Sequence, residues 1–218
     1  MPLFKRWNDL GGLWGIWRVT EGMEELRARL DASLFYDKEL QELKSVSRRM
    51  EYVAVRVLLK ELLGREVRIL HELSGKPFLE DGSYKITVSH TKGYVAIGLH
   101  ASLELGMDIE RRTEKVNKVR SRFVRDDEML VDENISAADK LSLLLLHWSA
   151  KETLYKLINL QGVDFLKHMR IFNFSLLPAG SFRAEEYRTP QRYVFEVSYW
   201  IHPDFVCTWS VHPVSAKA

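Results

Sequence analysis

Two long segments with helical spacing of apolar residues, each followed by strand patterns, constrain the fold of this chain most strongly. Ser47–Leu63 repeats apolar residues every three or four positions and is followed by Gly64, which commonly terminates a helix. Ala137–Leu160 is the longest such pattern and carries leucines along one side. Strand patterns follow in 84–100 and in 193–212. The sequence therefore predicts an α+β fold in which each half joins a long helix to an antiparallel hairpin.

A short polar break between two predicted strands marks the expected boundary between the halves. Tyr94–His100 and Glu104–Glu110 both have strand patterns, and they meet near Ala101–Leu105. We therefore expect two subdomains, residues 1–102 and 103–218. No internal sequence repeat proves that one half is a duplicate of the other.

The composition excludes several classes of protein. The formal net charge is only +2, which gives no overall field for binding nucleic acid. Cys207 is the only cysteine, so neither an internal disulfide nor a cysteine-rich zinc site is expected. The N-terminus lacks the apolar core of a signal peptide, and no apolar run is long enough to cross a bilayer. We expect a cytoplasmic protein that binds neither membranes nor nucleic acid.

The segment Gly106-Met107-Asp108-Ile109-Glu110 carries the first candidate site. Side chains alternate along a strand, so Asp108 and Glu110 face the same way, about 7 Å apart. Two such carboxylates repel each other unless a cation lies between them, and magnesium prefers oxygen ligands. A solvated polar face of an edge strand gives the same pattern, so this motif alone does not decide.

The long helical pattern in the second half carries the next candidates. Trp148, Glu152 and Lys156 are four residues apart and therefore lie along one side of a helix. Glu152 can supply a third carboxylate to the same cation, and Lys156 can neutralise a phosphate one turn further on. An exposed Glu–Lys helix pair has the same spacing. Trp148 argues against an exposed face, because a large aromatic side chain usually needs cover.

Two loops in the first half add weaker signals. Ser89-His90 lies where a predicted strand ends, and His90 can donate a hydrogen bond to a phosphate. A turn histidine with a local hydrogen bond fits equally well. Gly75-Lys76-Pro77 combines a flexible backbone with a point charge. The sequence has no phosphate loop, nucleophile elbow, dinucleotide fingerprint or zinc-protease motif.

These motifs occur together and in order, and the combination resembles the 4′-phosphopantetheinyl transferase superfamily. The resemblance is to its longer, single-chain branch, typified by the surfactin-synthetase activator. It spans residues 48–156, about half the chain. Each motif is weak alone, but the set at this spacing is specific. The resemblance implies two similar α+β subdomains related by a pseudo-twofold axis, with the active site in the cleft between them.

The resemblance also implies the reaction and the residues that perform it. The 4′-phosphopantetheine arm of coenzyme A passes to a serine of an apo carrier protein, adenosine 3′,5′-bisphosphate is released, and Mg²⁺ is required. The metal is expected on Asp108, Glu110 and Glu152. Asp108, His90 and Lys156 are expected to contact coenzyme A, the last two beside its phosphates. Glu152 is the candidate base, acting directly or through a metal-bound water.

The resemblance places the remaining coenzyme A contacts in the first half. Gly75-Lys76-Pro77 is expected to hold the adenosine end, and Ser89 lies in the same binding set. Arg56 matches an arginine of the family near the 3′-phosphate. Arg49 is expected to share that role, with Arg48 as the alternative because the alignment there is loose.

A basic segment follows the predicted metal-binding strand. Residues 111–125 carry seven basic residues and one acid, so seven minus one gives a local charge of +6 in a chain of +2. The basic residues are Arg111, Arg112, Lys115, Lys118, Arg120, Arg122 and Arg125. Helical spacing predicts a stripe of Lys115, Lys118, Arg122 and Arg125. A solvated helix face is the alternative, but carrier proteins of the family are typically acidic, so the resemblance implies a docking surface.

Two other functions fit parts of this pattern. One is a catalytically silent module that binds coenzyme A or a carrier protein, although such a module has no need for the complete carboxylate set. The other is a magnesium-dependent phosphohydrolase with water as acceptor. For a transferase, carriers of fatty acid, polyketide and nonribosomal peptide synthesis are equal candidates.

Overall fold

The computed structural model describes residues 3–31, 36–128 and 135–212. The chain folds as two compact units, Met1–Leu103 and Glu104–Ala218. The predicted α+β class is confirmed, because each unit combines an antiparallel sheet with one long helix. No described helix is both long enough and apolar enough to cross a membrane.

The first unit contains a four-stranded antiparallel sheet, a two-stranded hairpin and three described helices. In chain order the elements are β1 (Leu3–Asp9), β2 (Gly12–Arg18), α1 (Met23–Arg27), α2 (Asp37–Glu42), α3 (Val46–Leu63), β3 (Ile69–His71), β4 (Pro77–Leu79), β5 (Lys85–Thr91) and β6 (Tyr94–His100). The large sheet has the order β1-β2-β6-β5, and β3 pairs with β4. Helix α3 packs on β2 and β6.

Helix α3 begins and ends where its sequence predicts. The side chain of Ser45 caps the helix by accepting a hydrogen bond from the Arg48 amide, and Gly64 ends it with a left-handed φ of 70°. Between them, Leu58 and Leu59 are at most 1% exposed and join the core of this unit. The apolar spacing thus produces a helix with one face buried against the sheet.

Two elements of the first unit differ from the sequence-based expectation. Strand β1 was not predicted, because residues 3–9 mix charged and apolar side chains; it lies at the edge of the sheet, where such a mixture is tolerated. The helical spacing of Leu26, Leu30 and Leu34 predicts a helix over Glu24–Leu34, but α1 ends at Arg27. Residues 32–34 of that prediction lie outside the described residues.

The second unit contains a five-stranded antiparallel sheet and the longest helix. Its elements are β7 (Leu105–Arg111), a 3₁₀ helix (Glu114–Arg122), α4 (Ala137–Ile158), α5 (Phe165–His168), β8 (Met169–Ile171), β9 (Ala179–Glu186), β10 (Val194–Ile201) and β11 (Phe205–Val211). The sheet order is β7-β11-β10-β9-β8. Helix α4 packs mainly on β7 and β11.

Helix α4 is buried around most of its circumference. Ser136 caps its start and Asn159 ends it in the left-handed region, with φ of 48°. The predicted apolar stripe is confirmed at Leu146 and Leu154, which are 0% exposed, whereas Leu143 is only half-buried. Several polar side chains of the helix are also buried, so α4 has contacts on more than its apolar face.

Two features hold α4 close to the strand that carries the candidate carboxylates. A Cβ added to Gly106 of β7 would lie 2.2 Å from the Thr153 carbonyl oxygen, so only glycine permits this approach. The Thr208 hydroxyl of β11 lies 2.9 Å from that of Ser149 and 2.7 Å from that of Thr153. Thr208 is also the register partner of Asp108. These contacts fix the position of α4 relative to Asp108.

Candidate functional site

The predicted carboxylates of the second unit lie in one neighbourhood. Asp108 and Glu110 are two residues apart on β7 and therefore share a face of the strand. Asp108 is buried, at 4% exposed, and Glu110 is half-buried. Glu152 lies on α4, and the charge of Asp108 acts on both glutamates. The three side chains that the sequence analysis assigned to a metal thus lie near enough for the charge of Asp108 to act on both glutamates.

Burial and like charge make this group costly to ionise. Burial, and then the neighbouring charge of Asp108, raise the pKa of Glu110 to about 7. The same two causes raise the pKa of Glu152 to about 7, while Lys156 acts in the opposite direction. A bound cation would offset both effects, because it favours the ionised form of each carboxyl group.

Lys156 lies beside the carboxylates, as its helical spacing predicts. Its Nζ donates hydrogen bonds to Asp108 Oδ1 at 2.9 Å and to the Met107 carbonyl oxygen at 2.8 Å. The ammonium group is therefore fixed between helix α4 and strand β7. In this arrangement its charge faces Asp108 directly.

Trp148 makes a contact that sequence reasoning did not predict. Its Nε1–H donates a hydrogen bond to Glu110 Oε1 at 2.8 Å. The indole packs edge-on to Phe123, with ring centroids 5.1 Å apart, and lies 5.7 Å from the ring of Phe165. Other aromatic side chains thus cover part of the indole, as its size predicted. Its one sequence signal was the four-residue spacing from Glu152, which placed it on the carboxylate side of the helix.

The chemistry of this donor set fits a hard divalent cation. Three carboxylates provide the oxygen ligands that magnesium prefers, and burial together with the charge of Asp108 raises the pKa of Glu110 and Glu152. Within the described part of the chain, no three His, Cys, Asp or Glu side chains converge closely enough to hold a metal as they stand. Lys156 engages Asp108 Oδ1 and Trp148 engages Glu110 Oε1, so a shift of the three carboxylates toward one another, with the Trp148–Glu110 bond kept, would have to complete the site.

In the first unit, His90 belongs to a polar cluster with two residues of α3. His90 Nε2 lies 2.6 Å from Arg48 Nη1, and His90 Nδ1 lies 3.5 Å from Glu51 Oε2. Arg48 and His90 are exposed near the N-terminal end of α3, where the helix dipole favours anions. Arg49 instead donates from Nε to the Leu43 carbonyl oxygen at 2.9 Å. Of the two candidate arginines, Arg48 is the one that lies with His90.

Arg56 has a packing role inside the first unit. It is 6% exposed, its guanidinium carbon lies 3.2 Å from the centre of the Tyr52 ring, and Nη1 donates to the Tyr52 carbonyl oxygen at 2.9 Å. The Tyr36 ring is 5.3 Å away, and burial lowers the pKa of Arg56. This cation–π packing was not predicted from the sequence. It leaves little of the side chain accessible to a phosphate.

The remaining predicted coenzyme A contacts lie in a turn and on a strand of the first unit. Gly75-Lys76-Pro77 closes the turn between β3 and β4, with Gly75 at φ of 87° and the Glu72 amide donating to the Lys76 carbonyl oxygen at 2.9 Å. Lys76 is half-buried. Ser89 precedes His90 on β5 and is 6% exposed.

The basic segment folds differently from the predicted stripe. Residues 114–122 form a 3₁₀ helix rather than an α-helix, and Arg125 lies beyond its end. Arg125 donates to Asp127 Oδ1 at 2.8 Å and to the Leu166 carbonyl oxygen at 2.9 Å, so it is engaged within the unit. Lys115, Lys118 and Arg122 are exposed. The interval from Lys115 to Lys118 is the three-residue repeat of a 3₁₀ helix, whereas Arg122 follows Lys118 by four residues and therefore lies on another side of it.

Comparison with known proteins identifies the second unit. Residues 104–210 match the family model of the 4′-phosphopantetheinyl transferase superfamily. The matched region includes the strand of Asp108 and Glu110 and the helix of Glu152 and Lys156. No curated protein matches the chain significantly. The chain therefore carries a 4′-phosphopantetheinyl transferase superfamily domain at residues 104–210.

Proposed function

We propose that this protein transfers the 4′-phosphopantetheine arm of coenzyme A to a serine of an apo carrier protein. One observation carries the proposal: within the matched domain Lys156 bonds to Asp108, and the charge of Asp108 acts on Glu110 and Glu152. The superfamily implies transfer from coenzyme A to carrier proteins. We further propose a holo-carrier-protein synthase of the surfactin-synthetase-activator-like branch that uses Mg²⁺ and acts in the cytoplasm.

The proposed reaction replaces a phosphoanhydride bond of coenzyme A with a phosphoester bond to serine. The serine hydroxyl oxygen attacks the phosphorus that carries the pantetheine arm, the bond to the bridging pyrophosphate oxygen breaks, and adenosine 3′,5′-bisphosphate leaves. Asp108, Glu110 and Glu152 would hold Mg²⁺, which when bound supplies Lewis-acid stabilisation of phosphate charge. Lys156, already fixed 2.9 Å from Asp108, supplies a permanent positive charge to the same place.

Glu152 is the candidate general base for the serine proton. A general base must be ionised to accept a proton, and a cation held by Asp108, Glu110 and Glu152 would keep Glu152 ionised in spite of its burial. Its position on α4, one turn before Lys156, keeps the base and the positive charge on one side of the helix.

For coenzyme A, the proposal assigns residues of the first unit to the phosphates and the adenosine end. The Arg48–His90 pair suits a phosphate because both groups are exposed and can donate hydrogen bonds. Lys76 suits the adenosine end. Ser89, Arg49 and Arg56 stay in the proposed set on the ground of the family resemblance.

For the carrier protein, we propose docking on the exposed basic residues of the 3₁₀ helix, Lys115, Lys118 and Arg122. Across the described residues, no carboxylate pairs with any of these three side chains. Such a patch attracts an acidic partner and speeds its encounter. Arg125, which is engaged with Asp127, is less suited to this role.

Mass spectrometry of an apo carrier protein tests the proposed function. After incubation with the protein, coenzyme A and Mg²⁺, the carrier should gain the mass of the phosphopantetheine arm, and a carrier with its acceptor serine changed to alanine should not. Release of adenosine 3′,5′-bisphosphate without a carrier would instead identify a phosphohydrolase. Binding of coenzyme A with neither product would identify a silent binding module.

A further inference from the structure

Trp148 connects the two elements that carry the candidate carboxylates. It lies on α4, four residues before Glu152, and its indole donates a hydrogen bond to Glu110 Oε1 on β7 at 2.8 Å. An indole has one N–H donor and no acceptor, so this contact can only orient an acceptor. With Oε1 held by the indole, Oε2 of Glu110 is the oxygen left to serve as a ligand.

The indole is itself held in place by its surroundings. Its edge packs on Phe123, which is 0% exposed, and the Phe123 carbonyl oxygen accepts a hydrogen bond from Lys151 Nζ at 2.6 Å. Lys151 also pairs with Glu128 at 2.8 Å, and both of those side chains are fully buried. Because the residues that pack against the indole are themselves buried and hydrogen-bonded, the ring is held in one orientation, and so is its N–H group.

We propose that Trp148 is a positioning residue for the Glu110 carboxylate and that it sets how tightly the three carboxylates bind a divalent cation. Partners of metal ligands commonly act in this way, because they fix the orientation of the ligand before the ion arrives. The inference rests on the proposed function for its choice of ligands. Its test measures metal binding and does not require transfer to a carrier protein.

A buried tryptophan that serves packing alone makes a different prediction. Its loss would lower stability but leave the affinity for a metal unchanged in the folded protein. Trp17 provides a control in the first unit, since it is 1% exposed and its Nε1 has no hydrogen-bond partner among the described residues. Trp148→Phe and Trp17→Phe remove the same atoms from an indole, and only the first removes a bond to a carboxylate.

Calorimetric titration of the metal-free proteins with Mn²⁺ tests the proposal. Trp148→Phe should weaken Mn²⁺ binding by about tenfold or more, the usual effect of removing such a partner. Trp17→Phe should stay within about twofold of the wild type, a conventional margin for no effect on the ligands. The proposal is overturned if Trp148→Phe also stays within that margin, if both variants weaken binding equally, or if the wild-type protein binds no Mn²⁺.

Nuclear magnetic resonance of the indole N–H groups provides a second measurement on the wild-type protein. The signal of Trp148 is the one missing in Trp148→Phe or, if that variant does not fold, the one displaced in Glu110→Ala. Adding Mg²⁺ should shift this signal and leave that of Trp17 in place. An unshifted Trp148 signal at saturating Mg²⁺ would refute the proposal. If these results appear without transfer to any carrier, the proposed function fails and the positioning role stands.

Discussion

The three carboxylates on β7 and α4, Asp108, Glu110 and Glu152, are each at least partly buried, and each lies near another negative charge. Asp108 is nearly inaccessible to water, and its charge acts on both Glu110 and Glu152. Such a group lowers the stability of the metal-free protein, and a bound cation would offset that cost. Two consequences follow, one for stability and one for turnover.

Glu110→Gln and Glu152→Gln should each stabilise the metal-free protein above pH 7. The pKa of each glutamate rises on folding from 4.5 to about 7, so the folded protein binds more protons between these values and loses stability as the pH rises through them. The penalty is absent below pH 4.5 and complete above pH 7. Each glutamine should therefore add on the order of 1 to 3 kcal/mol at pH 8.

Chemical denaturation in the presence of a chelator, at pH 4.5 and at pH 8, measures this difference. Mg²⁺ should stabilise the wild-type protein and have a smaller effect on either variant. Equal stabilities of variants and wild type at pH 8 would mean that these two carboxyl groups are ordinary surface acids.

Lys156→Ala should reduce turnover by a factor on the order of 10² if the ammonium group stabilises developing phosphate charge. The side chain is fixed by Asp108 and by the Met107 carbonyl, so its charge is already in place when a substrate binds. Lys140→Ala, an exposed lysine in the first turn of the same helix, provides the control. Steady-state kinetics with coenzyme A and a carrier separate the possibilities: a raised KM with unchanged kcat would make Lys156 a binding residue only.

The sequence predicted this neighbourhood well where spacing alone decides it. Strand alternation placed Asp108 with Glu110, and helical spacing placed Lys156 one turn after Glu152. It did not predict which groups bond, because the Trp148–Glu110 and Lys156–Asp108 contacts depend on how closely α4 approaches β7. It also gave no sign that Arg56 stacks on Tyr52, since an arginine in a helix pattern is ordinarily exposed.

At the scale of elements, the approach of α4 to β7 depends on one residue without a side chain. A methyl group at Gly106 would overlap the Thr153 carbonyl oxygen, at 2.2 Å, and press on Leu157 Cγ, at 3.1 Å. Backbone cannot move aside as a flexible side chain can. The glycine of Gly106-Met107-Asp108 is thus required by packing, and the carboxylates depend on it indirectly.

Gly106→Ala should lower the free energy of unfolding by about 1–3 kcal/mol or more, the cost of overpacking. It should also weaken Mn²⁺ binding, because α4 and β7 must separate and Glu152 moves away from Asp108. Gly22→Ala is the control, since no atom lies within 4 Å of its added Cβ and its φ of −76° is ordinary for any residue. Urea denaturation and calorimetry check both effects. A Gly106→Ala protein as stable as Gly22→Ala would show that the packing relaxes easily.

The elements themselves could be predicted to different degrees for physical reasons. Helices α3 and α4 have strong periodicity and clear caps, so their bounds were predicted to within a few residues. Strand β1 has a half-solvated edge pattern that resembles a loop. The 3₁₀ helix shares its three-residue spacing with one face of an α-helix, and the charge pattern cannot separate the two. Lys151 is buried although lysine is usually exposed, and the sequence did not show this because the partners of its ammonium group come from segments distant in sequence.

For the molecule as a whole, the distribution of charge matters more than its sum. The chain carries only +2, whereas residues 111–125 carry seven basic side chains against one acidic side chain. Lys115, Lys118 and Arg122 are exposed on the 3₁₀ helix that follows β7 directly. Concentrated charge of this kind speeds encounter with an oppositely charged partner and is screened by salt.

The double variant Lys118→Glu, Arg122→Glu should slow transfer to an acidic carrier protein at low ionic strength, with a smaller difference at high salt. The reason is that exposed charges at a docking surface act mostly on the rate of association. Transfer rates measured at several salt concentrations check this, and the affinity for coenzyme A alone should be unchanged. The matched control is Arg183→Glu, Arg188→Glu, which changes the net charge equally on exposed residues of β9 and just after it, and two strands separate β9 from β7. Equal slowing by both double variants would mean that net charge alone causes the effect. If neither variant slowed transfer, the proposed docking surface would be wrong and the transferase proposal would stand.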